Sequence, residues 1–213
     1  MHVLCALEFE RSALAALARR RGWTLHCCGP RAAGVERWAG SAGAPPAGAT
    51  VVLAGVAGAT SPIEAGRAVA VAKVVDGRGG EWAPPLGTAA PRTACCLSVD
   101  EVLTSTEAKD RAARTHGADL VDMESAAFAR LATARGWEWA VVRGISDTVD
   151  ETLPEGIGDW VDERGRLRIW QVACAVIRRP GLLIRLRSLR ARSVAAMRAV
   201  AAALESMPDG GGT

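Results

Sequence analysis

Two short acidic motifs carry the residue types that could do chemistry: Val121-Asp122-Met123-Glu124-Ser125 and Ile145-Ser146-Asp147. An N-glycosidic bond to a purine breaks more readily once the base is protonated at N7. That step needs a general acid close to the ring, and an aspartate serves if an apolar, partly buried site raises its pKa. Asp147 follows the apolar run Ala140-Val141-Val142 and has Ser146 beside it, which suits it to that task. The sugar becomes cationic as the bond opens. A carboxylate that accepts hydrogen bonds from both ribose hydroxyls fixes the ring and favours the positive charge, and Glu124 is placed for this. Each acid also has an ordinary explanation. Glu124 at a helix start favours the macrodipole, and a loop aspartate such as Asp147 caps its own turn.

The elements that must position these acids alternate between strand and helix. Short apolar runs at 3–7 and 23–28 and a continuous one at 51–56 are expected as strands, the last covered on both faces. The runs at 68–75, 94–99, 119–122 and 139–145 are expected as further strands, and 76–91, rich in Gly and Pro, as a loop. Helical spacing covers 10–21 and 124–135. Ser105 or Thr106 caps a helix that Gly117 ends. Two more helices are expected at about 168–179 and 182–205. The pattern predicts an α/β three-layer sandwich with a central mixed, mostly parallel sheet and two C-terminal helices. Residues 1–207 are expected as a single domain and 208–213 as a flexible tail. In such folds ligands collect at the carboxyl ends of strands, where both motifs fall. Glu124 is expected to open a helix and Asp147 to lie in a loop just past its strand.

Composition narrows the setting. A chain of 213 residues can bury a full core. No apolar run reaches the roughly 18 residues of a membrane span, and the start shows no signal-peptide pattern. The cysteines at 5, 27, 28, 95, 96 and 174 form no Cys-x-x-Cys and make a poor disulfide framework, so reduced thiols in a cytoplasmic protein are expected. The three histidines have no metal-ligand spacing, and no metal site is expected. Charge is lopsided: 164–204 holds ten arginines and no Asp or Glu, so the remainder carries −7 of the net +3. Lys73 and Lys109 are the only lysines, read as a compositional bias.

The motifs together resemble those of the purine nucleoside phosphorylase and methylthioadenosine/S-adenosylhomocysteine nucleosidase superfamily. Asp122-Met123-Glu124-Ser125 and Arg143-Gly144-Ile145-Ser146-Asp147 are joined by Ala6-Leu7-Glu8-Phe9-Glu10, similar to that superfamily's first strand-to-helix turn, and by Gly55-Val56-Ala57-Gly58, similar to its Gly-Ser-Ala-Gly turn. A narrower resemblance follows. Leu153-Pro154, 162–166 (Asp-Glu-Arg-Gly-Arg) and 177–183 (Ile-Arg-Arg-Pro-Gly-Leu-Leu) are similar to the tail of the hopanoid-associated phosphorylases, a group that releases adenine from adenosylhopane. Val56 fits that group, which has an aliphatic residue where the nucleosidases have serine.

The resemblance implies a role at each matching position. Asp147 engages the purine N7 with Ser146 in support, and Glu124 binds the ribose diol with Met123 against the sugar. Glu10 attends the nucleophile, and the backbone of Gly55, Val56, Ala57 and Gly58 lies against ribose and nucleophile. Arg143 is a nearby structural or anion-binding cation, and Val99 is the candidate for stacking on the base. The implied activity is cleavage of a 5′-substituted adenosine, adenosylhopane, by phosphorolysis, with a hydrolytic methylthioadenosine/S-adenosylhomocysteine nucleosidase as the alternative. No cofactor is implied, and inorganic phosphate is the co-substrate if the bond is cut by phosphorolysis. Leu53 and Val56 stand where bacterial phosphorylases carry Arg and Ser for phosphate, so phosphate and water both stay open as nucleophile. Backbone amides at 55–58 with Arg31 or Arg37 are the alternative phosphate ligands. A homo-oligomer is implied by the resemblance alone. A non-catalytic nucleoside- or lipid-binding protein is the reading of another class, and the acids at 10, 124 and 147 argue against it.

The basic segment 166–206 reads as amphipathic. Leu182, Leu186, Leu189, Met197, Val200 and Leu204 fall within an arc of about 80° on a helical wheel. Such a stripe belongs to an ordinary helix packed on a sheet. Arginines around it also suit peripheral contact with anionic lipid, and both hold if the helix packs by one side. Nucleic acid is not expected, because only Trp170 interleaves with the arginines.

Overall fold

The computed structural model describes residues 1–87 and 93–207. The expected tail at 208–213 and the end of the 76–91 loop lie outside the described residues. The chain runs β1 (His2–Cys5), α1 (Glu8–Arg21), β2 (Thr24–Cys27), α2 (Arg31–Ala39), β3 (Thr50–Ala59), β4 (Ala68–Val75), β5 (Glu81–Trp82) and β6 (Thr93–Ser98). It continues with α3 (Thr106–His116), β7 (Leu120–Asp122), α4 (Ser125–Ala134), β8 (Glu138–Asp147), a 3-10 turn (Ile157–Trp160), α5 (Ile169–Arg178) and α6 (Leu182–Glu205). The expected α/β fold with a mixed, mostly parallel sheet and two C-terminal helices is observed.

All eight strands form one sheet in the order β2-β1-β3-β7-β6-β4-β5, with β8 pairing both β3 and β4. The path β3–β7–β6–β4–β8 therefore returns to β3 and closes a ring. Parallel pairing joins β1 to β2 and β3, β3 to β8, and β4 and β7 to β6. The ring closes through antiparallel contacts of β3 with β7 and of β4 with β8. Among the described residues only β2 and β5, four and two residues long, remain as edges. The continuous apolar run of β3 and the Trp139–Val142 stretch of β8 are fully covered, as strands with helices on both faces require. Trp38 and Val35 of α2 and Phe128 and Ala132 of α4 fill one face of the sheet. Leu14 and Leu17 of α1 and Met197, Val200 and Leu204 of α6 fill the other.

The caps follow local chemistry. Ser105 Oγ accepts a hydrogen bond from Ala108 N at 3.2 Å to start α3, and Gly117 ends it in the left-handed conformation, φ 61°. Four expectations are corrected. The 55–58 segment is not a turn but the second half of β3, with a register irregularity between Ala57 and Gly58. Its small residues let the strand continue past the apolar run. Asp147 is the last residue of β8 rather than part of the following loop. The expected loop at 76–91 carries the two-residue strand β5, and helix α2, in a stretch for which no element was assigned, follows Pro30 and buries Val35, Trp38 and Ala39.

Candidate active site

Glu10 sits at the third position of α1, where its side chain reaches back over the helix start. Its Oε2 accepts from Leu7 N (2.9 Å) and Ala6 N (3.1 Å), and its Oε1 from Val56 N (2.8 Å). It is therefore a capping-box glutamate that also ties β1 to β3. Burial pushes its pKa up from the ordinary carboxylate value, opposed by Arg143 and by the three amides. The geometry explains Gly55: a methyl group there would lie 2.6 Å from Glu10 Oε1 and 2.8 Å from Arg143 Nη1. Both side chains thus converge on a backbone that has no Cβ to obstruct them.

Arg143, on β8 and fully buried, is the hub of the acidic group. Its Nη2 pairs closely with Asp122, lies 3.5 Å from Glu124 Oε2 and donates to Ser125 Oγ at 3.4 Å. Burial works against its charge, but Asp122 and Glu124 outweigh that and hold the guanidinium firmly protonated. Its Nε and Nη1 find no hydrogen-bond partner among the described residues. Glu124 precedes α4 and makes no capping bond. Asp122 does the capping instead, accepting from Glu124 N (3.3 Å) and Ser125 N (3.1 Å) and closely from Ser125 Oγ. Glu124 is thus released from the helix-start duty that could have explained it. Its Oε1 accepts from the backbone N of Arg31 at 2.7 Å. Arg31 is the one described non-glycine residue with positive φ, 69°, a conformation that side-chain sterics disfavour. Burial and then Asp122 push Glu124 up to about 7, with Arg143 pulling the other way. Met123, between Asp122 and Glu124, is partly exposed.

Asp147 stands in register with Gly58, and a methyl group at Gly58 would meet its Oδ2 at 2.9 Å. Ser146 Oγ donates to Asp147 Oδ1 at 2.7 Å and is within 3.2 Å of Ala57 O. The surroundings are not the apolar site expected from the preceding run. The fully buried Lys109 of α3 extends its Nζ to Asp147 Oδ2 at 2.6 Å, to Thr148 O at 2.7 Å and to Glu151 O at 2.9 Å. Asp147 is thus held by a buried ion pair rather than by its own turn.

The structure brings Glu10, Gly55, Val56, Glu124 and Arg143 together, and sets Ser146 and Asp147 beside Ala57 and Gly58 three residues further along β3. At strand spacing that offset is roughly 10 Å. Val99 lies just past β6, partly buried, with its N donating to Asp122 O at 2.8 Å. Neither proposed phosphate arginine brings its side chain to the group. Arg37 Nη2 donates to Glu163 O and Cys28 O, and the exposed Arg31 contributes its backbone N instead. Leu53 is buried in the core. Sequence reasoning missed Lys109, although it is one of only two lysines and sits on a capped helix. It also missed the capping role of Asp122 and the Arg31 amide. All six cysteines are free thiols, and among the described residues no three His, Cys, Asp or Glu converge as a metal site.

Residues 78–178 match the family model of the Phosphorylase superfamily. Over nearly the whole chain the fold resembles that of a solved hydrolase and of solved nucleosidases. Futalosine hydrolase of Helicobacter pylori strain 26695 aligns over 97% of this chain and 95% of that one, at TM-score 0.63 and 15% identity. The fold is that of the nucleoside phosphorylases and nucleosidases. Helicobacter pylori 5′-methylthioadenosine/S-adenosyl homocysteine nucleosidase, in complex with a pyrrolidine-based ligand, shares it at TM-score 0.63 and 15% identity, over 97% and 96% of the two chains. So does Arabidopsis thaliana 5′-methylthioadenosine nucleosidase in apo form, at TM-score 0.64 and 13% identity, over 96% and 93%. No curated protein matches the chain. In this fold the three acids lie at strand ends: Glu10 after β1, Glu124 after β7 and Asp147 at the end of β8.

Proposed function

We propose that this protein cleaves the N-glycosidic bond of a 5′-substituted adenosine and releases adenine. The observation that carries the reading is the split of the acidic set along β3, with Glu10, Glu124 and Arg143 at Gly55 and Asp147 with Ser146 at Gly58. A sugar held at the first group presents its base to the second. Glu124 accepts the ribose hydroxyls, exchanging its hydrogen bond from the Arg31 amide for them, and Met123 packs against the ring. Asp147, oriented by Ser146, passes a proton from the Lys109 ammonium at its Oδ2 on to N7 as the bond lengthens, leaving Lys109 neutral. Negative charge at Glu124 favours the developing sugar cation.

Water is the attacking group in the reading the charges favour. Glu10, Asp122 and Glu124 surround a single arginine, an unwelcoming place for a phosphate dianion, and Glu10 with its raised pKa can take the water's proton. The structural neighbours named above include a hydrolase and nucleosidases. Phosphate is the second reading, favoured by Nε and Nη1 of Arg143, which have no partner among the described residues. The 5′ substituent we assign to a hopanoid on the resemblance of residues 153–183 to the hopanoid-associated phosphorylases. The test is adenine release from 5′-methylthioadenosine, S-adenosylhomocysteine and adenosylhopane, each with and without phosphate. Release from adenosylhopane in phosphate-free buffer is expected. No adenine from any of the three would sink the enzyme reading, and strict dependence on phosphate would replace water.

A further inference from the structure

The C-terminal helices use only one side of themselves for packing. Leu182, Met197, Val200 and Leu204 of α6 are buried on the sheet. At 100° per residue, Leu183, Ile184, Arg187, Arg190, Ala191, Val194 and Arg198 occupy an adjoining arc of about 120° that the sheet does not cover. All seven are exposed, Ile184 by 73%. Helix α5 has no fully buried residue. Val172, Ala173, Ala175 and Val176 are partly covered, while Ile169 (73%), Trp170 (83%) and Ile177 (78%) face outward. Leu167 just before α5 is 58% exposed as well. Apolar groups left open in one stretch mark a docking surface rather than scattered surface residues.

The charges identify the occupant. No Asp or Glu interrupts the ten arginines of 164–204. Arg178, Arg187 and Arg190 make no ion pair among the described residues, while Arg185 and Arg192 are turned inward to Thr152 O and to Ser146 O and Glu151. A second copy of this chain would oppose arginines to arginines. A water-facing role would leave Trp170 and three isoleucines in solvent. No helix among the described residues is long and apolar enough to cross a membrane, so the segment can lie on a bilayer but not span it. We propose that α5 and the first half of α6 dock this protein on an anionic lipid surface. Trp170, Ile177 and Ile184 enter the headgroup boundary, and Arg178, Arg187 and Arg190 meet the phosphates. The inference stands independently of which bond the acidic site cuts.

Sedimentation of the full chain with large unilamellar vesicles tests it. One set is pure phosphatidylcholine, and the other contains about one-third phosphatidylglycerol. Binding is expected to the anionic set alone and to weaken with salt. R178Q/R187Q/R190Q should lower partitioning on the order of a hundred-fold, at roughly five-fold per arginine. W170S/I177S should lower it at unchanged net charge. None of these side chains touches the acidic site, so circular dichroism and adenine release in detergent-free buffer serve as the folding control. Equal binding to neutral and anionic vesicles, or no loss in either variant, would overturn the proposal. So would a vesicle-free dimer that W170S/I177S converts to monomer, because the occupant would then be a second copy.

Discussion

Replacing Lys109 by Met tests the buried ion pair behind the candidate general acid. Lys109 Nζ donates to Asp147 Oδ2, Thr148 O and Glu151 O at 2.6–2.9 Å, and both charged side chains are at most 4% exposed. Methionine keeps the apolar stem and removes the ammonium, leaving a carboxylate and two carbonyls without their donor. Breaking a buried pair from one side costs about 3–5 kcal/mol. For a chain of this size that lowers the melting temperature by roughly 6–20 °C. Urea unfolding of wild type, K109M, D147N and K109M/D147N closes a double-mutant cycle. Because the double variant leaves no lone buried charge, it should recover at least about 1.5 kcal/mol relative to the sum of the singles. K109M should also slow adenine release while leaving KM nearly unchanged, since Lys109 supplies the proton through Asp147 and does not touch the substrate. A cost under about 1 kcal/mol, or strict additivity in the cycle, would refute the view that the pair fixes Asp147.

Other outcomes follow from the same geometry. D147N should reduce kcat about 10²- to 10⁴-fold, the contribution of a general acid, with the affinity for a nucleoside measured by calorimetry retained. Glu124, raised by burial and Asp122 to about 7, must ionise to accept two hydroxyls, so kcat/KM should climb as pH rises through about 7. A folded-state pKa above the unfolded value near 4.5 means stability that is complete below pH 4.5 and lost as pH rises through 7. E124Q should remove that loss, at most about 3 kcal/mol, and flatten the melting temperature against pH while abolishing turnover. G55A places a methyl group 2.6 Å from Glu10 Oε1 and 2.8 Å from Arg143 Nη1. It should cost about 1–3 kcal/mol in thermal denaturation and most of the activity. S105A removes the α3 cap and should cost about 1 kcal/mol, measured by the same melt, and a larger loss of activity would mean that α3 carries more than Lys109.

The strands and most helices were legible because their signals are local: apolar runs for β3 and β8, and Ser105 and Gly117 at the ends of α3. Helix α2 was not, since Gly34 and a nine-residue length blur its apolar spacing of Val35, Trp38 and Ala39. Asp147 was placed one step too late because the polar pair Ser146-Asp147 reads as loop, whereas β3 continues alongside it. The acids of the candidate site stood out by motif. Their partners did not, because partnership is a tertiary fact. Lys109 is 38 residues from Asp147, and Arg31 reaches Glu124 across 93 through a backbone amide that no side-chain pattern records. The single-sided packing of α6 was visible on the wheel, while the exposure of α5 depends on what the rest of the chain declines to cover.

The closure of β3–β7–β6–β4–β8 has a bearing on handling the protein. An open eight-stranded sheet would present two long unpaired edges, templates for another chain to add to. Here the ring satisfies its own strands, and among the described residues the free edges shrink to four residues at β2 and two at β5. Glu81 on the β5 edge is tied to Lys73 by an ion pair, so charge sits where another strand would have to dock. Self-association through strand pairing is thereby denied at concentration, and clumping of the purified chain would trace to the apolar face of α5 and α6 instead.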